Sequence, residues 1–289
     1  MTASSSAEAT KACCADLYAS DWARVLLGES LHPGGLALTE RLGVLLGLDA
    51  DCRVLDLAAG RGTSALHLAR AFGCQVLGVD YGGRNVALAI DAAREQGFAE
   101  RVQFMQADAE QLTALADDSF DVVVCECAYC TFPNKRAAAT EIARVLRQGG
   151  RFGLSDLVRN GDLPPELDGL VAWIACVADA QPVASYVADL EAVGLTVSAI
   201  EAHDEALTEL INHVRRRLLA AGLVIKIQQV ELPGIDLQVA TRVARSAVAA
   251  VRAGALGYTL LTATRRLPKH ARQFQAKWTA ARRPPRVSQ

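Results

Sequence analysis

"VLDLAAGRGTSALHLAR" (residues 54–70) is the stretch from which the rest of the chain can be read. A short apolar run interrupted by one acid, Asp56, leads into a turn with Gly60 and Gly62, and the segment that follows has helical spacing. Strand, glycine turn and helix in that order make the opening unit of a parallel α/β sheet. Outward from it the pattern repeats. "RVLDLA" (53–58), "QVLGVD" (75–80), "VQFMQAD" (102–108), "FDVVVCEC" (120–127) and "GGRFGLSDL" (149–157) predict five strands. Helices are predicted between them over 63–72, 84–96 and 134–147. Continuous β-branched runs alternating with amphipathic stretches argue for a sheet covered on both faces.

Beyond strand five the order changes. The spacing predicts a helix over 182–193, a strand "LTVSAIEA" (195–202), helices over 204–222 and 236–253, and a returning strand "LGYTLLTATRR" (256–266). The expected organisation is an N-terminal helical cap (1–50) broken at "HPGG" (32–35), a core (51–202), a helical insertion (203–256), a last core strand (257–266) and a basic tail (267–289). From Arg265 onward the tail has eight Lys or Arg and no acid, the composition of a solvated segment.

The 289 residues suffice for a full hydrophobic core, and a formal net charge of −2 exerts no global pull towards nucleic acid or membrane. "MTASSSAEATKACC" has neither the charged head nor the apolar middle of a secretory signal. The longest apolar stretches, such as "GLVAWIACVA" (169–178), are too short to cross a bilayer. A cytoplasmic protein acting on a small molecule, with neither nucleic acid nor membrane as partner, is the expectation. Its eight cysteines (13, 14, 52, 74, 125, 127, 130 and 176) then read as thiols rather than a disulfide framework. Cys52 and Cys74 suit the core.

Gly60-Arg-Gly62-Thr-Ser-Ala65 satisfies the G-x-G-x-x-G/A turn that holds dinucleotides, which by itself leaves NAD, FAD and S-adenosylmethionine (SAM) open. The acids around it decide. Asp56, Asp80 and Asp108 stand at the ends of the first three strands, where an open α/β sheet faces its ligand. A pyrophosphate would sit against Asp56. SAM offers an ammonium for Asp56, ribose hydroxyls for Asp80 and an adenine amino group for Asp108.

On these residues the chain over 53–157 resembles the class I SAM-dependent methyltransferases. "VLDLAAGRG" matches the glycine-rich first motif, with Ala58 where the family often has Gly. "GVDYG" (78–82) matches the ribose acid, "ADAEQL" (107–112) the adenine acid, and "FDVVVCECAYC" with "ARVLRQGGRFGLSD" strands four and five. The resemblance implies a Rossmann-like, mostly parallel seven-stranded sheet with N-terminal helices and a helical insertion before the last strand. It also implies SAM as cofactor, held by Asp56, Ala58, Gly60, Gly62, Asp80, Tyr81, Asp108, Ala109 and Cys125. No resident metal is expected.

Methyl transfer needs proximity, dryness and an electron pair on the acceptor, and a poor nucleophile also needs a base. After strand four the chain offers "CECAYCTFPNK", with three thiols and Glu126, a pocket wall or weak base. Cys125 and Cys127 alternate on the strand and would share a face, with Cys130 in the loop beyond. "SDLVRNGDLPPELDG" and "CVADAQPVASYVADLEAVGL", within 155–195, resemble the arsenite methyltransferases in order. That likeness implies that Cys127, eight residues before Lys135, and Cys176 hold As(III) as the reactive thiolates. Cys13, Cys14 and Cys130 would complete the substrate site. Soft thiolates select thiophilic centres. The "HPGGLALT" loop (32–39) resembles other small-molecule methyltransferases instead, and places His32 in a lid at the methionine end of SAM. A carbon, oxygen or nitrogen methyltransferase of a small metabolite, and a non-catalytic soft-metal binder on the same fold, are the rival readings.

Overall fold

Strand β1 (Arg53–Leu57) is buried at every position after its first, as a central strand with helices on both faces must be. It pairs in parallel with β2 (Gln75–Asp80) on one side and β4 (Phe120–Glu126) on the other. Strand β3 (Val102–Gln106) extends β2, and β5 (Leu146–Arg159) extends β4, both in parallel. The seven-stranded order is β3-β2-β1-β4-β5-β7-β6, in which β7 (Leu256–Arg265) runs antiparallel to β5 and to β6 (Leu195–Ala202). The chain moves outward from β1 in both directions, so the crevice at the carboxyl ends of β1 and β4 is the topological switch point. This is the expected Rossmann-like, mostly parallel sheet. The computed structural model describes residues 8, 11–12, 15–16, 28, 30, 32–167, 177, 179–228 and 237–266.

Helices α1 (Gly35–Leu45), α2 (Thr63–Phe72), α3 (Gly83–Glu95), α4 (Lys135–Val145) and α5 (Val183–Ala192) cover the sheet, and α6 (Asp204–Gln228) and α7 (Leu237–Arg252) precede β7. Helix α4 shows the logic. The Asn134 side chain accepts from the Ala137 amide as its cap, while Ala138, Ala139, Ile142 and Val145 turn inward. Gly62 caps α2 with φ 80°, and a Cβ there would stand 2.5 Å from the Phe104 ring, so the turn demands glycine. Cys52 and Cys74 are buried in the core as expected, and burial pushes the Cys74 thiol up to about 11.

Several boundaries differ from the sequence reading, each for a local reason. β3 stops at Gln106, and Asp108 lies beyond it in a bridge to Gln111. β4 stops at Glu126, because Cys127 takes φ 52° and turns the chain out of the sheet. β5 begins at Leu146 directly after α4, three residues earlier than its apolar run implies. The basic tail (267–289) and most of the residues ahead of His32 lie outside the described residues.

Candidate active site

The carboxyl ends of β1, β2 and β4, the start of α2 and the turn ahead of α1 enclose a cavity. Of the residues expected to hold the cofactor, Asp56, Ala58, Gly60, Asp80, Tyr81, Asp108 and Ala109 line it. His32, Glu126 and Cys127 do so as well. Three expected contacts do not. Gly62 packs against Phe104 behind the turn. Cys125 is fully buried within β4, where burial, then the charges of Asp156 and Asp56, hold its thiol well above the ordinary range. Cys130 is also fully buried, its amide donating to Asp156 Oδ2 at 2.8 Å, so that loop is pinned against β5 and its thiol stays out of the cavity wall. The left-handed turn at Cys127 also removes the common strand face expected for Cys125 and Cys127. Cys13, Cys14 and Cys176 lie outside the described residues.

The three acids are treated differently by their surroundings. Asp80 accepts from the Gly60 amide (2.8 Å) on Oδ2, and from the Gly82 amide (2.8 Å) and Asn85 Nδ2 (3.0 Å) on Oδ1. Its carboxylate therefore ties the glycine turn to the start of α3. Asp108 accepts from the Glu110 amide (2.9 Å) and from Lys11 Nζ (2.7 Å), which also reaches Glu110 at 2.6 Å. Asp56 is 2% exposed, and its Oδ2 has no hydrogen-bond partner among the described residues. Burial, then the charges of Glu126 and Asp80, raise its carboxyl well above the ordinary range.

A buried, unpartnered carboxylate among other carboxylates is the complement of a cation. SAM meets the requirement with its ammonium and sulfonium and has no phosphate to set against Asp56. Arg61 and the positive end of α2, also at the cavity, are the complement of its one carboxylate.

On the far side of Asp56 a hydrogen-bonded chain crosses three strands. Tyr258 on β7 donates to Ser155 Oγ on β5 (3.1 Å), and Ser155 donates to Glu126 Oε1 on β4 (3.2 Å). Thr39 on α1 donates to Glu126 Oε2 at 2.9 Å. His32 Nδ1 lies 3.1 Å from the Pro33 carbonyl, which can only accept, so that nitrogen carries the hydrogen. His32 Nε2 lies 3.4 Å from Thr39 Oγ1 and 3.7 Å from Glu126 Oε2. Both ionisable side chains are only 4% exposed. The one Thr39 hydroxyl hydrogen is given to Glu126, so Thr39 has none left to offer His32 Nε2.

Sequence reasoning missed Thr39, Ser155, Tyr258, Asn85 and Lys11. Thr39 stands at the end of "HPGGLALT", one helical turn into α1, and Ser155 in the "SD" after strand five. Those two were visible as motif members. Tyr258 and Lys11 become visible only when the strand order and the path of the N-terminal segment are known.

A family model described as a methyltransferase domain matches residues 48–213. Among similar proteins, Methyltransferase GfsG of Streptomyces halstedii is 34% identical over 170 residues, 58% of this chain and 61% of that one. The arsenite methyltransferase of Aquipseudomonas alcaligenes is 35% identical over 167 residues, 55% of this chain and 48% of that one. The chain thus covers about half to three-fifths of the length of these relatives. In structure it is similar to the phosphoethanolamine N-methyltransferase 2 of Haemonchus contortus in complex with SAM. The TM-score is 0.72 at 19% identity, covering 88% of this chain and 57% of that one.

Proposed function

This chain belongs to the methyltransferase-domain family, and from that premise we propose that, with SAM as its cofactor, it methylates a small organic acceptor at an atom bearing a removable proton. When bound, SAM supplies a methyl group on a sulfonium centre, and the acceptor's electron pair displaces the sulfur in line. The chain's residues do the rest. Asp56 neutralises the ammonium, Asp80 and the glycine turn hold the nucleoside, and Asp108 receives the adenine amino group. The buried His32–Glu126 pair takes the acceptor's proton, and the Glu126 carboxylate stabilises the charge that His32 gains. The observation that carries this reading is that His32 and Glu126 line the cavity together, both buried, with His32 Nε2 3.7 Å from Glu126 Oε2.

A second reading rests on Cys127, which lines the same cavity beside Glu126, and on the similarity to an arsenite methyltransferase. Here As(III), held by Cys127, Cys176 and the N-terminal thiols, attacks with its own lone pair and needs no base. Methyl-labelled SAM, supplied with a panel of phenols and secondary alcohols or with arsenite and glutathione, separates the two. On the first reading an organic product forms. His32→Gln then lowers its rate by about 10²–10⁴-fold, the usual range for a general base, while Cys127→Ala leaves the rate within a few-fold. Methylated arsenic that disappears in Cys127→Ser and persists in His32→Gln would instead establish the second. SAM binding with turnover of neither probe class favours the non-catalytic soft-metal binder.

A further inference from the structure

One buried polar atom beside the cavity is left over by the fold. Asn85, in the first turn of α3, is 2% exposed and lines the cavity, yet its Oδ1 has no hydrogen-bond partner among the described residues. The amide cannot be reversed. Its Nδ2 donates to Asp80 Oδ1 (3.0 Å) and the Ala15 carbonyl (3.4 Å), both of which only accept, so a flip would set oxygen against oxygen.

The acceptor capacity around it can be counted. A carboxylate oxygen takes about two hydrogen bonds. Asp80 Oδ1 already has two, from Gly82 and Asn85, and Oδ2 has one, from Gly60. One acceptor position therefore remains on Asp80, and the carboxamide oxygen of Asn85 supplies the next. A vicinal diol brings two hydrogens. On the reading that this cavity holds SAM, we propose that the ribose diol is divided between two residues, one hydroxyl donating to Asp80 Oδ2 and the other to Asn85 Oδ1. Asn85 is thereby a cofactor-binding residue that sets specificity for an unmodified ribose. A deoxyribose leaves a buried acceptor unpaired. A phosphorylated ribose brings anionic acceptors to a place where the nearby donors are already engaged.

Calorimetry with S-adenosylhomocysteine and its 2′-deoxy and 3′-deoxy analogues tests this on wild-type protein and on Asn85→Ala. The wild type is expected to bind each deoxy analogue about tenfold more weakly than the parent, the order expected for one buried hydrogen bond. Asn85→Ala should weaken the parent by a similar factor, yet bind one of the two deoxy analogues as the wild type does, because the hydroxyl that Asn85 held is already missing. Equal weakening of all three ligands would overturn the proposal, since Asn85 would then act only by orienting Asp80. So would a wild type that binds the parent and either analogue alike, a comparison needing no variant. Failure of the wild type to bind S-adenosylhomocysteine at all would sink the SAM reading itself, an outcome distinct from a flat comparison among bound ligands.

Discussion

Asp56 and Asp80 stand near the same end of two neighbouring parallel strands, and the protein treats them in opposite ways. Asp80 is surrounded by donors, two of them backbone amides of the turns on either side. Asp56 is also buried and has an oxygen with no partner among the described residues. One acid is a structural clamp that also lines the cavity. The other is an acid buried without compensation, its charged form disfavoured, a local cost that persists where a bound cation can offset it. An identical signal in the sequence therefore stands for two different kinds of residue.

The sharpest way to break this contrast is Asp56→Asn, which keeps the shape and removes the charge. It should weaken binding of S-adenosylhomocysteine, whose ammonium it would no longer attract, by about 10–100-fold, the range for a charge-assisted hydrogen bond. The free protein should become more stable at neutral pH, and calorimetric melting reads that sign. Proton linkage sharpens the point. Because the native carboxyl is raised above its unfolded value, the folded state binds more protons between the two. Asp56 thus costs nothing in strong acid, and its penalty grows as pH rises from the ordinary carboxylate range through the raised native value. The gain in Asp56→Asn should therefore grow with rising pH and vanish in acid, and ligand affinity should fall with falling pH more steeply in the wild type than in the variant.

Asp80→Asn should move stability the other way. It leaves an amide facing the Gly60 or Gly82 N–H, at a cost of about 1–3 kcal/mol for a buried donor left unmet, measurable by denaturant melting. A stabilised Asp80→Asn would mean that the two acids do not differ as described. Gly62→Ala, which must adopt φ 80° against the Phe104 ring, should destabilise the fold by roughly 1–3 kcal/mol. It should affect ligand affinity less than Asp56→Asn does.

The third acid gives the smallest effect. Lys11 holds Asp108 Oδ2 and also stands over the Tyr81 ring at 5.9 Å. On the reading that Asp108 receives the adenine amino group, the lysine must first give way. Lys11→Met should then speed association of S-adenosylhomocysteine by a few-fold in stopped-flow mixing, and the difference should shrink as added salt screens the pair. An unchanged association rate would show that Asp108 is already available.

Where local pattern decides an element, the sequence was a good guide. Strands β2 and β6 and helix α2 lie at the bounds their apolar spacing and flanking glycines imply. The reading slipped where a single backbone angle intervenes. Cys127 continues the alternation of β4 in sequence, but its left-handed φ ends the strand, and with it the shared thiol face. Helix α6 runs six residues beyond its expected end, because the residues after Gly222 remain helix-compatible and no stop signal precedes Pro233.

From sequence alone came the element types, the sheet class, the glycine turn and three acids positioned for a cationic nucleoside. These follow from periodicity and from charges carried at the ends of strands. Only the tertiary structure decided what each acid does and which groups reach the acceptor side. Ser155 and Tyr258 are 103 residues apart and meet because β7 returns antiparallel beside β5. The unpartnered oxygens of Asp56 and Asn85 exist only once neighbouring segments of the chain have closed off water. Hydrogen-bond satisfaction is a property of the packed neighbourhood, and no spacing along one chain encodes it.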